Sequence, residues 1–180
     1  MKENKIISLL DSARAFTLFE LMLTIGIFAI LVALGYPSIQ QSIRNNQVVA
    51  QGNELVALLS FARSEAIRRN TSVPILLTPN ADGWSLIVED PNDEADVIGC
   101  VPGQLRCVRN TRVYLIADFT ELTFNRRGYI TEAAGPWTAE TIYLKHESCS
   151  GDYQHRRIDI TPTGQVRSCS LGCNTAACPP

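Results

Sequence analysis

Histidine is scarce, with two in 180 residues, and the two do not stand at the helical spacing of a metal-ligand pair. There is no Gly-x-Ser-x-Gly, no phosphate-cradling glycine loop and no Cys-x-x-Cys. These absences remove the usual equipment of a hydrolase, a nucleotide-dependent enzyme and a zinc ribbon. The chain therefore reads as a non-enzyme, with no catalytic residue, cofactor or metal assigned. Internal repeats and low-complexity tracts are also missing. Charged residues make up only 19%, and the net charge of −2 does not announce a nucleic-acid binder. At 180 residues there is room for one anchor helix and one small domain.

Membrane-length apolar runs are absent with one exception, residues 16–36, which hold a single charged residue, Glu20. A helix of about 20 residues rises ~30 Å, enough to cross the hydrocarbon core of a bilayer. A carboxylate inside a bilayer is costly, so Glu20 is a candidate functional group that needs a partner. A cut before Phe16 would place a new α-amino cation four residues from it, and an acid in the first helical turn suits the helix macrodipole. The plainer alternative is an ordinary single-pass anchor whose Glu20 snorkels to the interface.

The stretch Ala15-Phe16-Thr17-Leu18-Phe19-Glu20, behind a leader with Lys2, Lys5 and Arg14, resembles the prepilin peptidase site of type IV pilins and type II secretion pseudopilins. The resemblance implies cleavage between Ala15 and Phe16, N-methylation of Phe16, and Glu20 pairing with the terminal amine of a neighbouring subunit. Two positions depart from the family pattern: Ala15 stands where Gly is usual, and Phe19 where an aliphatic residue is usual. Alanine, the next smallest residue, predicts slower processing. The leader's basic residues favour a cytoplasmic N-terminus, which sends the chain beyond Tyr36 across the membrane. The expected organisation is a cleaved leader over 1–15, a transmembrane helix over 16–36, an amphipathic helix over 37–71 and a β-rich periplasmic head over 72–180. Removing the leader brings the net charge from −2 to −3.

All six cysteines then lie on the exported side, where an even count reads as disulfides. Fifteen pairings are formally open. The set that closes modest loops is Cys100 with Cys107, Cys149 with Cys169, and Cys173 with Cys178. Zinc competes on the cluster of Cys169, Cys173, Cys178, His146 and His155, but lacks a Cys-x-x-Cys spacing.

Pro37 removes one backbone donor, so a helix passing through it kinks rather than stops if later residues stay helical. They do: Val48, Gly52, Leu55, Leu59, Ala62 and Ala66 form one apolar stripe at spacings of three and four. Arg68 and Arg69 suit the negative end of that helix, Glu65 can pair with Arg69, and Asn70 can take the left-handed cap. Short β-rich runs follow at 73–77, 84–88, 112–116, 121–124, 141–145 and 157–161, punctuated by Gly, Pro and Asn. Runs this short form an antiparallel sheet packed on the apolar stripe. Trp84 and Trp137 are expected in core or turn packing.

This order resembles the pilin layout. Leu58 to Asn70 resembles the helix signature of the GspH/FimT group, and Arg157 to Arg167 its C-terminal strand pair. The expected fold is α+β: a long N-terminal α-helix, the membrane spine, packed by its C-terminal half against a small antiparallel β-sheet head.

Three further constellations have plainer readings. Asp90, Asn92 and Glu94 alternate like the start of a calcium loop, but Ala95 stands where that loop needs Gly and the downstream bidentate Glu is missing, so a solvated acidic loop is expected. Arg156, Arg157 and Arg167, with Lys145 and His155, are candidates for a basic patch that grips DNA phosphates. Some FimT-type minor pilins carry a Gly-Arg-x-Arg turn associated with DNA uptake, and the matching Gly164-Gln165-Val166-Arg167 has lost the first arginine. Solvated strand-edge charges are the preferred reading there, as is a simple turn at Arg126-Arg127-Gly128. Finally, Ala33-Leu34-Gly35 resembles a secretory cleavage site, which would release a soluble periplasmic domain.

The reading that joins these features is a minor pilin of the FimU/FimT type that primes or caps a type IV pilus. Phe16, Glu20 and Pro37 belong to its assembly segment. Its expected partners are other minor and major pilins, prepilin peptidase, the inner-membrane assembly machinery, and membrane lipid before assembly. DNA is a disfavoured further partner. Its expected location is the inner membrane and then a fibre, at the tip. A GspH-type minor pseudopilin of a type II secretion system is the runner-up.

Overall fold

The computed structural model describes residues 16–80, 83–110, 113–131, 139–146 and 155–172. The first element is helix α1, Leu18–Arg69, which runs through Pro37 without ending. Thr17 sets its start: its carbonyl accepts the first intrahelical bond, from Leu21 N–H at 3.1 Å, and its hydroxyl accepts from Glu20 N–H at 3.2 Å, satisfying one donor that a helix N-terminus otherwise leaves bare. Asn70 sets its end, at φ 53°, with Thr71 N–H reaching back to Ala66 O at 3.2 Å.

Two compact units divide the chain at residue 40. The first contains the apolar part of α1, whose large side chains are exposed from Leu18 to Ile39. Its most apolar 18-residue window has mean hydropathy 2.4 and is unburied, so by length and composition this helix can cross a membrane. Thr24, inside that stretch, donates to Leu21 O at 2.8 Å, which satisfies its hydroxyl without water.

The second unit holds residues 41–69 of α1 and, among the described residues, nine strands. Strands β1 (Val73–Asn80), β2 (Gly83–Glu89), β3 (Gln104–Asn110), β5 (Glu121–Phe124) and β6 (Ile130–Thr131) form a sheet ordered β3-β2-β1-β5-β6. Strands β4 (Val113–Ala117), β7 (Glu140–His146), β8 (His155–Ile160) and β9 (Val166–Leu171) form a second, ordered β4-β7-β8-β9. Every pairing is antiparallel. One core joins helix and sheets: Val48, Leu55, Leu59, Ala62 and Ala66 from α1 meet Ile75, Trp84, Leu86 and Phe124 of the first sheet and Ile142, Leu144, Ile158 and Ile160 of the second. Glycine at position 52 is buried on the same helical stripe.

The expected α+β layout is present, a long helix packed against antiparallel β-structure, and that structure divides into two sheets where one was expected. Two strands escape the sequence reading, β3 and β6, and β9 enters it only as the second member of the C-terminal strand pair; all three lie at sheet edges. The run expected at 157–161 shifts to His155–Ile160, because Thr161 opens the following turn by accepting Gly164 N–H at 2.7 Å. Trp84 is fully buried, as its core assignment expects, whereas Trp137 lies outside the described residues.

Candidate functional site

Two regions carry the candidate residues, and they lie in different units. In the first, Ala15 lies outside the described residues, Phe16 is exposed, and Glu20 occupies the first turn of α1. The Thr17-Leu18-Phe19-Glu20 spacing is a capping-box pattern, a signal the sequence reading passed over. It gives Thr17 a role of its own, fixing where the helix begins relative to Phe16. Pro37 is exposed within the helix.

In the second unit the proposed basic patch does not assemble. Arg156 and Arg157 are neighbours on β8, so their side chains leave opposite faces of the sheet. Arg156 pairs with the inward-facing Leu144 and turns toward α1. Its Nη1 donates to Asn53 Oδ1 at 2.8 Å and to Val49 O at 3.4 Å, and a side chain at Gly52 would meet its Cδ at 2.7 Å. Arg157 takes the outer face, where its Nε donates to Asp159 Oδ1 at 2.7 Å and its guanidinium lies 5.9 Å from the Tyr143 ring. Tyr143 in turn lies 5.5 Å from His155, whose imidazole is pushed down by burial. Arg167 is exposed on the edge strand β9, opposite Asp159. The three candidate arginines thus share no face: Arg156 locks helix to sheet, Arg157 neutralises a neighbouring acid, and Arg167 faces solvent; β8 is an inner strand, so the preferred reading of solvated edge charges fits Arg167 and not Arg156.

Arg63, which lies off the apolar stripe of α1, is a hub. Its Nε donates to Gly128 O at 3.0 Å, beneath the turn that Gly128 N–H closes on Asn125 O. The β8–β9 turn stacks on this one, with Ile130 N–H bonded to Pro162 O at 3.1 Å. Gly128 and Gly164 both have positive φ, 77° and 76°, and a side chain at Gly164 would strike the Gly128 carbonyl. The Thr163-Gly164 step was the visible signal, but it marks a turn and not what the turn packs against.

At the C-terminal end of α1, Glu65 is buried and accepts from Arg68 Nε at 3.1 Å and Arg69 Nε at 2.8 Å. The Arg68 hydrogen bond does most to hold its carboxyl below the usual range, against the opposing effect of burial. Arg69 continues to the buried Asp90 at 2.9 Å. Asp90 Oδ1 also accepts Asn92 N–H, so the suspected calcium loop spends its first acid on an internal ion pair. Among the described residues no group of three His, Cys, Asp or Glu could hold a metal ion. Cys100 and Cys107 form a disulfide that ties this loop to β3. Cys169 is disulfide-bonded as well, which removes its thiolate from the zinc set; Cys149, Cys173 and Cys178 lie outside the described residues.

The family model described as Type II transport protein GspH matches residues 51–164, and the prokaryotic N-terminal methylation motif matches residues 10–36. Among curated proteins, none matches. Crystal structures of the type IV minor pilin FimU of Pseudomonas aeruginosa PAO1 share the fold. In one crystal form the TM-score is 0.51 at 21% identity, covering 68% of this chain and 87% of that one. In another the TM-score is 0.50 at 21% identity, covering 66% and 90%. The minor pseudopilin EpsH of the Vibrio cholerae type 2 secretion system aligns with a TM-score of 0.49 at 10% identity, covering 68% and 96%.

Proposed function

Because the chain belongs to the GspH family, within the type IV pilin-like superfamily, we propose that it is a minor pilin that primes or caps a type IV pilus. The carrying observation is the methylation motif over residues 10–36, feeding an apolar helix whose first turn holds Glu20. In this reading prepilin peptidase cuts between Ala15 and Phe16, the new amine is methylated, and the helix anchors the subunit in the inner membrane with its head in the periplasm. Phe16 and Glu20 then set register with the next subunit, because a terminal cation and a carboxylate buried together in an apolar fibre core satisfy each other and no other arrangement. Pro37 belongs to the same assembly segment, and the head selects neighbouring minor and major pilins.

The family description itself favours a second reading, a GspH-type minor pseudopilin in type II secretion. Both share the processing step and differ in the machine they join.

The first test is the N-terminal residue and its mass in protein from native membranes. Methylated Phe16 is expected. Tyr36 would mean a soluble exported domain, and Met1 a plain membrane anchor. Deleting the gene then separates the two machines: loss of surface pili with intact secretion supports the pilus, and the reverse supports the pseudopilus.

A further inference from the structure

Strand β3 is an open edge of the first sheet: β2 covers one side of it, and among the described residues no strand pairs with the other. Between Leu105 and Arg109, alternate residues direct their N–H and C=O groups to that open side, where they join no ladder. In the register with β2, Arg106 and Val108 pair with the buried Val88 and Leu86 and so take the core side, whereas Cys107 and Arg109 pair with Ile87 and Ser85 and take the outer side.

A recess lies on each side. On the core side a cleft of ≈ 310 Å³ between α1 and β3 is lined in part by Ala57, Leu58 and Phe61 of the helix and by Arg106 and Val108. On the outer side a cleft of ≈ 390 Å³, beside the Cys100–Cys107 disulfide, is lined in part by Ser85, Ile87, Val101 and Arg109. Cys107 and Val108 line both, so the recesses meet at the middle of the strand. A backbone edge with a recess on each side suits an added β-strand, whose main chain extends the ladder while alternate side chains enter the two recesses. A helix could use only one recess, and its main-chain groups are already spent.

Charge narrows the guest further. Arg106 and Arg109 are exposed, one on each side of β3, and neither forms an ion pair among the described residues. Arg106 lies 5.3 Å over the Phe61 ring, and Glu54, which lines the same cleft about 10 Å along the helix axis from Phe61, makes no ion pair with it. Charges on an edge discourage pairing with a neutral strand, and two copies of this edge would bring arginines together, whereas a strand carrying carboxylates is attracted. We propose that β3 receives, antiparallel like every other pairing of the head, an extended acidic strand from the head of a different pilin subunit. In chain order that strand offers acid, apolar residue, any residue, acid, opposite Arg109, Val108, Cys107 and Arg106. This rests on the reading of the head as the part that selects neighbouring pilins, and gives that selection a place and a chemistry.

The test titrates the full chain in detergent against a fluorescent peptide, Thr-Glu-Val-Thr-Glu-Val-Thr, matched to the seven residues of β3 so that its glutamates fall opposite Arg109 and Arg106. Arg106→Glu with Arg109→Glu is expected to weaken binding about tenfold or more, and to bind instead the peptide with lysines in place of the glutamates. Arg109→Glu alone, which leaves the Phe61 contact intact, is expected to weaken it about threefold and serves if the double variant unfolds. Two further peptides carry N-methyl groups on alternate residues, one on the odd positions and one on the even. Strand pairing predicts that one set abolishes binding and the other is tolerated, because only every second N–H faces β3. Equal binding of the two methylated peptides, or a glutamate peptide that wild type and double variant bind alike, overturns the proposal. So does duplex DNA that displaces the peptide at lower concentration than unlabelled peptide does, which makes the arginines a phosphate grip. Self-association of the chain that the peptide breaks assigns the edge to a second copy and overturns it as well. In sheared fibres the double variant should lower the content of this subunit with methylated Phe16 retained. Wild-type protein without methylated Phe16 fails the fibre-subunit reading separately and leaves the peptide result standing.

Discussion

Arg156 crosses helix α1 directly over Gly52, and its guanidinium bonds the helix on either side of that glycine, at Val49 O and Asn53 Oδ1. The glycine is there for space. Helix propensity favours alanine by about 1 kcal/mol, while the hydrogen bonds that alanine would displace are worth about 1–2 kcal/mol. Gly52→Ala is therefore expected to be neutral to mildly destabilising in the wild type, and stabilising by about 1 kcal/mol in an Arg156→Ala background. Denaturant midpoints of the four chains measure this; equal effects in both backgrounds would refute the interlock.

Gly164→Ala is expected to cost about 2 kcal/mol or more, because it adds a left-handed backbone penalty to a collision with the Gly128 carbonyl. Arg63→Lys removes the Nε donor to that carbonyl and is expected to cost about 1 kcal/mol. The two changes share Gly128, so their double mutant should cost less than the sum. Urea unfolding of the set decides it.

Glu65 titrates in the fold below its ordinary 4.5, so its ionised form is favoured by folding. Its contribution is fully present above the unfolded value and is lost as pH falls through the folded one. The unfolding temperature of the wild type should drop more steeply between about pH 5 and pH 3 than that of Glu65→Gln, which at neutral pH is about 1–3 kcal/mol less stable. Parallel curves in that window would remove Glu65 as the source.

Glu20→Ala should leave head stability unchanged, since residue 20 lies outside the unit that contains the core. Its expected effect is on assembly: less of the subunit in sheared fibres, with processing at Phe16 retained. Immunoblots of fibre and membrane fractions give the ratio.

What was legible in the sequence follows burial. The stripe from Val48 to Ala66 announced the packed part of α1, and Asn70 announced its end. Strands with buried faces, such as β2 and β7, were found almost in full. The strands β3 and β6 were missed, and β9 was seen only through its strand pair, because each buries a single residue, Leu105, Ile130 and Leu171, whereas β4, also an edge strand, buries Val113 and Leu115 and was found. The division into two sheets was illegible because it depends on pairings such as Val73 with Phe124, distant in the chain. Glu20 stood out as the lone charge in an apolar run, whereas Arg63 looked like any other helical arginine. Its importance comes from two turns that only the tertiary fold brings to it.

The chain changes sheets at each of three connections, β3 to β4, β4 to β5 and β6 to β7. Neither sheet is a contiguous stretch of sequence, and β1 waits for β5 while the stacked turns wait for Pro162. For a head delivered across a membrane from its anchored end, closure must follow delivery. Until β8 has arrived, β7 lacks one of its two partners and exposes strand edges and apolar faces, so the slow and aggregation-exposed interval of this protein's life is set by translocation of its last third.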